Sequence, residues 1–193
     1  MPSIAAHMVV AKLVSENLNI DDSDFIKGNL LPDIISKENS HHRIKGKYFL
    51  VPDLDYFKDN LDLNNSLYLG YYAHLLLDKY FLEEFVPQNI ANLDVFRNEI
   101  IYNKYSIINY QLVKEFDLNV EYLKRILTDF NVDICKDKLD YNLYCLSIID
   151  NGKTKYLNFQ DFAKFLRDIS QGISKELENY ASKSNKLFVR FRQ

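Results

Sequence analysis

His74 and Asp78 lie four residues apart in the stretch 66–81, SLYLGYYAHLLLDKYF, which is otherwise apolar or aromatic almost all round. At helical spacing the two side chains share one face, with Cβ atoms roughly 5–6 Å apart. An imidazole nitrogen and a carboxylate oxygen each bind zinc at about 2.0–2.2 Å, so such a pair can close on one ion. A bare carboxylate inside an apolar helix costs several kcal/mol or takes up a proton, and a cation removes that cost. Gly70, one turn earlier, leaves room for another backbone or a ligand, and Tyr71 offers a hydroxyl on that side for a substrate. On these residues alone the alternative is a core histidine hydrogen-bonded to a buried aspartate, with no metal.

The chain has four histidines, His7, His41, His42 and His74, and none follows His74. Histidines placed only for packing would not need to gather in this way. With Asp33 and Asp78 they form a candidate metal-ligand set drawn from separated segments. Helix bundles build metal sites like this, from side chains on facing helices. Nitrogen and carboxylate donors without thiolate suit zinc, with iron, manganese or nickel as alternatives. Each residue also has an ordinary use. His7 can pack in the core, Asp33 can cap a turn, and one of His41 and His42 is expected on the surface.

Helices must position these groups. Ile4, Met8, Ala11 and Val14 recur near helical spacing and predict a first helix from Pro2 or Ser3 to Asn17, with His7 at the edge of the apolar stripe. Asp22 or Ser23 caps a second helix through Phe25 and Leu30, which Pro32 should end by forcing Leu31 out of helical geometry. The segment 34–57 holds Gly46 and Pro52 and reads as an ordered loop with a short helix at Ile34–Glu38. The central helix is expected from Asn65 to Phe85, stopped by Pro87. Further helices are expected over Asp94–Phe116, Val120–Phe130, Leu139–Ile149 and from Asn158 or Asp161 to Tyr180, with a turn at Asn151-Gly152.

The totals agree with one all-α domain spanning residues 1–193. Hydrophobic residues are 47% and charged residues 26%, ordinary for a globular chain of this size. With Gly at 5 and Pro at 4, turn signals are too sparse for a many-stranded β fold. The formal charge of −3 argues against a nucleic-acid partner. The basic ending 183–193 reads as a solvated tail. Cys135 and Cys145 form neither a CxxC pair nor a disulfide framework and read as reduced core thiols. No signal peptide and no run long enough to span a membrane is visible, so a cytoplasmic location is the default expectation.

Several separated elements also agree with a known family. Pro2-Ser-Ile-Ala-Ala-His7, Gly28-Asn-Leu-Leu-Pro-Asp33, Ser40-His41 and Gly70-Tyr-Tyr-Ala-His74-Leu-Leu-Leu-Asp78 together resemble the bacterial zinc-dependent phospholipase C family, in a short form. The resemblance covers about residues 1–82, and no motif of the helical completion over 90–182 matches. It implies an all-α multi-helix bundle of the zinc phospholipase C and related nuclease type, with a metal site in the bundle core. By motif position Asp33, His41, His74 and Asp78 would hold one metal, and Asp78 would bridge to a second that also uses His7. Asp33 would also serve as general base, and His41 fits the Ser-His position better than His42. The secreted family members add two histidines and a glutamate downstream, and an N-terminal tryptophan. This chain has no histidine after His74 and no Trp, so a reduced site of one or two ions is implied.

The resulting expectation is a metal-dependent phosphoesterase acting on a small phosphoester, with a metal-activated water as nucleophile and Asp33 orienting or deprotonating it. The alternative is a non-catalytic metal-binding or interaction protein that keeps part of the ligand set. An HD-type phosphohydrolase would need an adjacent His-Asp pair, which the sequence lacks.

Overall fold

Ser3 opens the first helix, α1 (Ile4–Leu18), by accepting a hydrogen bond from the Ala6 N–H at 3.3 Å. This serves one of the donors that every helix start leaves without a partner. The computed structural model describes residues 2–20, 23–36, 40–90, 105–128, 134–148, 152 and 157–191, and the backbone alone of 105 and 182–191.

Helix α2 (Ser23–Ile34) runs through Pro32 and does not stop before it. Pro32 cannot donate to a carbonyl one turn back, and that deficit is small against the packing of this turn. Leu30, Leu31, Pro32 and Ile34 are all buried, and the Ile35 N–H bonds the Leu31 carbonyl at 3.0 Å. Asp33 therefore sits within the last turn of α2, with its direction fixed by the helix.

The segment expected as a loop contains an antiparallel hairpin, β1 (Arg43–Lys45) and β2 (Leu50–Pro52), with Ile44 opposite Val51. The strands have three residues each, too short to show an alternation in the sequence. The expected helix at 34–38 is replaced at Ile35 by a bridge to Ile134, and 37–39 lie outside the described residues. A short α3 (Leu54–Asn60) follows, capped by Asp53, which accepts from the Tyr56 N–H at 3.1 Å.

The central helix α4 (Ser66–Tyr80) starts at Asn65, whose side chain accepts from the Leu67 N–H. Every residue from Leu69 to Asp78 is buried. It passes into one π turn, Phe81–Phe85, and then α5 (Val86–Asn89). Pro87 does not end the helical path, because it falls in the first turn of α5, where no N–H is needed. The π turn sets Phe81 and Phe85 against Phe162 and Phe165.

The later helices are α6 (Tyr105–Glu115), α7 (Val120–Thr128), α8 (Lys136–Ser147) and α9 (Phe159–Phe191). The expected start of α6 at Asp94, the end of α7 at Phe130 and residue 151 of the expected turn lie outside the described residues. Helix α9 continues well past Tyr180, and the backbone of residues 183–191 is helical. Cys135 and Cys145 are free and only partly buried, at the start and on one side of α8. No described helix is long and apolar enough to cross a membrane. The described chain is mostly helical, as the sparse turn signals predicted.

Two glycines set the tightest packing. A Cβ on Gly28 of α2 would lie 1.8 Å from the Leu67 carbonyl oxygen. One on Gly70 of α4 would lie 1.9 Å from the Phe25 carbonyl oxygen. Backbone therefore meets backbone at two points along the α2–α4 seam. The last turn of α2, which carries Asp33, thereby comes to lie beside His74 and Asp78. Helix α1 packs on both α2 and α4, which adds His7.

Candidate metal centre

Asn29 joins these three helices. It is fully buried on α2. Its side-chain amide, turned so that both ends are satisfied, donates to the His7 carbonyl at 2.8 Å and accepts from the His74 N–H at 3.2 Å. Its main-chain carbonyl accepts from His74 Nδ1 at 2.7 Å. A proton on Nδ1 leaves Nε2 of the neutral ring with a lone pair, the form in which histidine binds a metal. The Nδ1 of His41 lies 2.8 Å from Ser40 Oγ, so that ring too is held from its far side.

The near-side atoms converge. His41 Nε2 is 3.2 Å from His74 Nε2 and 3.3 Å from Asp78 Oδ2. His74 Nε2 is 3.6 Å from that same oxygen. Asp33 Oδ1 stands 3.8 Å from His41 Nε2 and 3.9 Å from His74 Nε2. Ligands about 2.0–2.1 Å from a tetrahedral zinc are about 3.3–3.4 Å from one another. The observed spacings bracket that value, with Asp33 slightly outside it.

Asp78 faces two ways. Its Oδ2 meets His41 and His74, while Oδ1 lies 3.4 Å from His7 Nε2. His7 stacks flat on His74, with ring centroids 3.6 Å apart. Both carboxylate oxygens of Asp78 and both ring nitrogens of His7 are buried and lack a hydrogen-bond partner. Orphaned polar atoms at this depth are costly without a ligand. The groups His7–His74–Asp78 and Asp33–His41–His74 each bring donor atoms within 4.8 Å of one another. The buried His/Asp groups can hold a metal ion, and their nitrogen and oxygen donors fit a divalent one.

The electrostatics are those of a site that attracts cations. Burial acts to raise the Asp78 carboxyl, but the charge of His74, with the His41 and His7 imidazoles close by, outweighs it and holds the group well below the usual carboxylate range. Burial acts to lower the His74 imidazole, yet Asp33 and Asp78 prevail and raise it. His7 is lowered, by burial first and by the neighbouring His74 second. The two carboxylates thus favour positive charge at this point. A metal ion would supply that charge.

The remaining candidates go elsewhere. His42 adopts φ 33° and turns away from its neighbour His41. It stacks on Tyr56, with centroids 3.8 Å apart, and its Nδ1 lies 3.7 Å from Asp53 Oδ2. It is not brought to the cluster. Tyr71, expected to meet substrate, donates its hydroxyl to the Ser40 carbonyl and packs on Phe57. Its role is to fix the Ser40–His41 segment, and burial pushes its phenol pKa up.

A pocket of about 650 Å³ opens beside the cluster, with Asp33 and His41 in its lining. His7, His74 and Asp78 lie beneath it, fully or almost fully buried. The lining also includes Arg43, Asn109, Lys138, Tyr141 and Asn142. The sequence reading missed this wall. Its only sequence signal is the spacing 138, 141, 142, 145, one face of a helix, and that pattern alone names no site. No family model, curated protein or solved structure matches this chain.

Proposed function

We propose that the protein is a metal-dependent hydrolase of phosphoesters, with zinc held by Asp33, His41, His74 and Asp78. The observation that supports it most is the set of ligand spacings of 3.2–3.9 Å, reached by groups from α2, α4 and the segment before β1 at the edge of an open pocket. A bound divalent ion would supply Lewis acidity, making a nearby water nucleophilic near neutral pH and drawing off phosphoryl charge. The protein's own groups supply the rest. Asp33 is 16% exposed where Asp78 is 1% exposed, and it is the one carboxylate among the described lining residues. It can take the proton of an attacking water in the pocket. Asn29 and Ser40 hold the two imidazoles in orientation. Asp78, with Oδ1 turned to His7, can reach a second ion on that side. The order of the residues around the site is also that of the zinc phospholipase C resemblance.

One observation favours a different reading. Four protein ligands suffice to fill a tetrahedral zinc, and filled sites are structural. A non-catalytic metal-binding protein would then be the result. A panel of phosphomonoesters and phosphodiesters, assayed on zinc-loaded protein with and without chelator, separates the two. The hydrolase reading expects turnover that chelator abolishes and zinc restores. It also expects Asp33→Asn to lose turnover more steeply than zinc. Full zinc occupancy with no turnover on any ester would leave the structural reading.

A further inference from the structure

The wall facing the cluster has its own chemistry. Lys138, Tyr141, Asn142 and Cys145 form one face of α8 and line the pocket together, with Arg43 of β1 beside them. Lys138 donates to the Ile35 carbonyl at 3.0 Å, which places its ammonium at the pocket while leaving it two further protons. Asn109 of α6 is buried at 1% exposure, and its Oδ1 has no hydrogen-bond partner. It is an acceptor open to a ligand hydroxyl. The wall thus carries two cationic side chains, Arg43 and Lys138, and Asp33 is the one carboxylate of the described lining.

A cationic headgroup would find little here. Quaternary ammonium groups are held by cages of aromatic faces. The described lining holds a single phenol, Tyr141, and that residue is 59% exposed. An ion bound beneath would add further positive charge. We propose that Arg43 and Lys138 bind a second anionic group of the substrate, a carboxylate or a further phosphate, so that the site selects doubly anionic phosphoesters and rejects choline-type ones. This inference rests on the phosphoesterase reading and adds the class of substrate to it.

Phosphoglycolate and phosphocholine make a matched pair, each a small phosphate ester with one charged end, negative in the first and positive in the second. Titration calorimetry on zinc-loaded protein compares both with inorganic phosphate, and zinc content is measured alongside. The expected result is roughly ten-fold tighter binding of phosphoglycolate than of phosphocholine, from one attraction gained and one repulsion avoided at partly exposed charges. Lys138→Gln and Arg43→Gln should each shrink that ratio at least about three-fold, while Lys138→Arg keeps it and inorganic phosphate changes little. Equal binding of the two esters, or a preference untouched by both glutamine variants, overturns the proposal. In that case inorganic phosphate still binds the zinc-loaded protein and the phosphoesterase reading stands. If the protein takes up no zinc and binds none of the three ligands, that reading and this proposal fall together.

Discussion

The α2–α4 seam and the wall of β1, α6 and α8 border the same pocket, but they are built on different principles. In the seam, backbone touches backbone at Gly28 and Gly70. Its polar atoms are largely buried, and the His74 and His41 rings are each oriented by a partner behind them. The wall carries its charges on long side chains of exposed residues, anchored by single contacts such as Lys138 to the Ile35 carbonyl. The seam can position atoms to a fraction of an ångström but cannot change without losing the site. The wall can change its side chains while the fold persists. On this division the seam decides what is bound inside, and the wall decides what enters.

The division is open to direct attack, and the largest effect is expected from the seam's backbone. Gly70→Ala places a methyl 1.9 Å from the Phe25 carbonyl oxygen, so the helices must part. A loss of about 3 kcal/mol in urea denaturation is expected, with zinc uptake abolished. A variant as stable as the parent would show that the close approach is not required.

Acid should act on the seam next. In the metal-free protein His74 has a raised pKa, so its contribution to stability is full below its ordinary value of 6.5 and is lost as pH rises through the higher folded value. Asp78 is held low, so its contribution is full above 3.8 and is lost as pH falls through the lower folded value. His7, lowered from 6.5, opposes His74 and costs stability as pH falls below that value. Zinc must displace the His74 proton, so its affinity should fall about ten-fold for each pH unit below the raised pKa. The gain in Tm on adding zinc should therefore be larger at about pH 8 than at about pH 6. A gain that is flat or larger in acid would contradict the assignment of His74.

Ser40→Ala should do less. It removes only the group behind His41, and such outer partners are worth about ten-fold in metal affinity. A competition titration against a chromophoric chelator reads this directly. Smallest of all is Lys138→Gln, which should leave zinc affinity unchanged and stability within about 0.5 kcal/mol. If it lowered zinc affinity as much as Ser40→Ala, wall and seam would not be separate.

The same contrast explains what was legible in the sequence. His7, Asp33, His41, His74 and Asp78 could be picked out because their donor types are scarce in this chain and 74 and 78 share a helix face. Choosing His41 over His42 needed the positive φ at His42, which no composition reveals. Asp33 was expected after a helix end and is found within the helix, because burial of Leu31 and Ile34 outweighs the proline between them. Tyr71 was assigned to substrate from its place one residue after Gly70, but a neighbouring carbonyl holds its hydroxyl. The hairpin was hidden by its three-residue strands. The wall was hidden most completely. Lys138 and Asn142 look like any solvated helix face, and only folding across about a hundred residues brings them to Asp33.

Elemental analysis of untagged protein, parent beside Asp78→Ala, asks whether the chain binds zinc through Asp78. Asp78 is the residue on which His7, His41 and His74 converge. On the order of one to two zinc ions per parent chain are expected, and close to none in a variant that remains folded by circular dichroism. A parent chain free of metal after zinc reconstitution, or a folded variant that keeps the parent's full content, would contradict it.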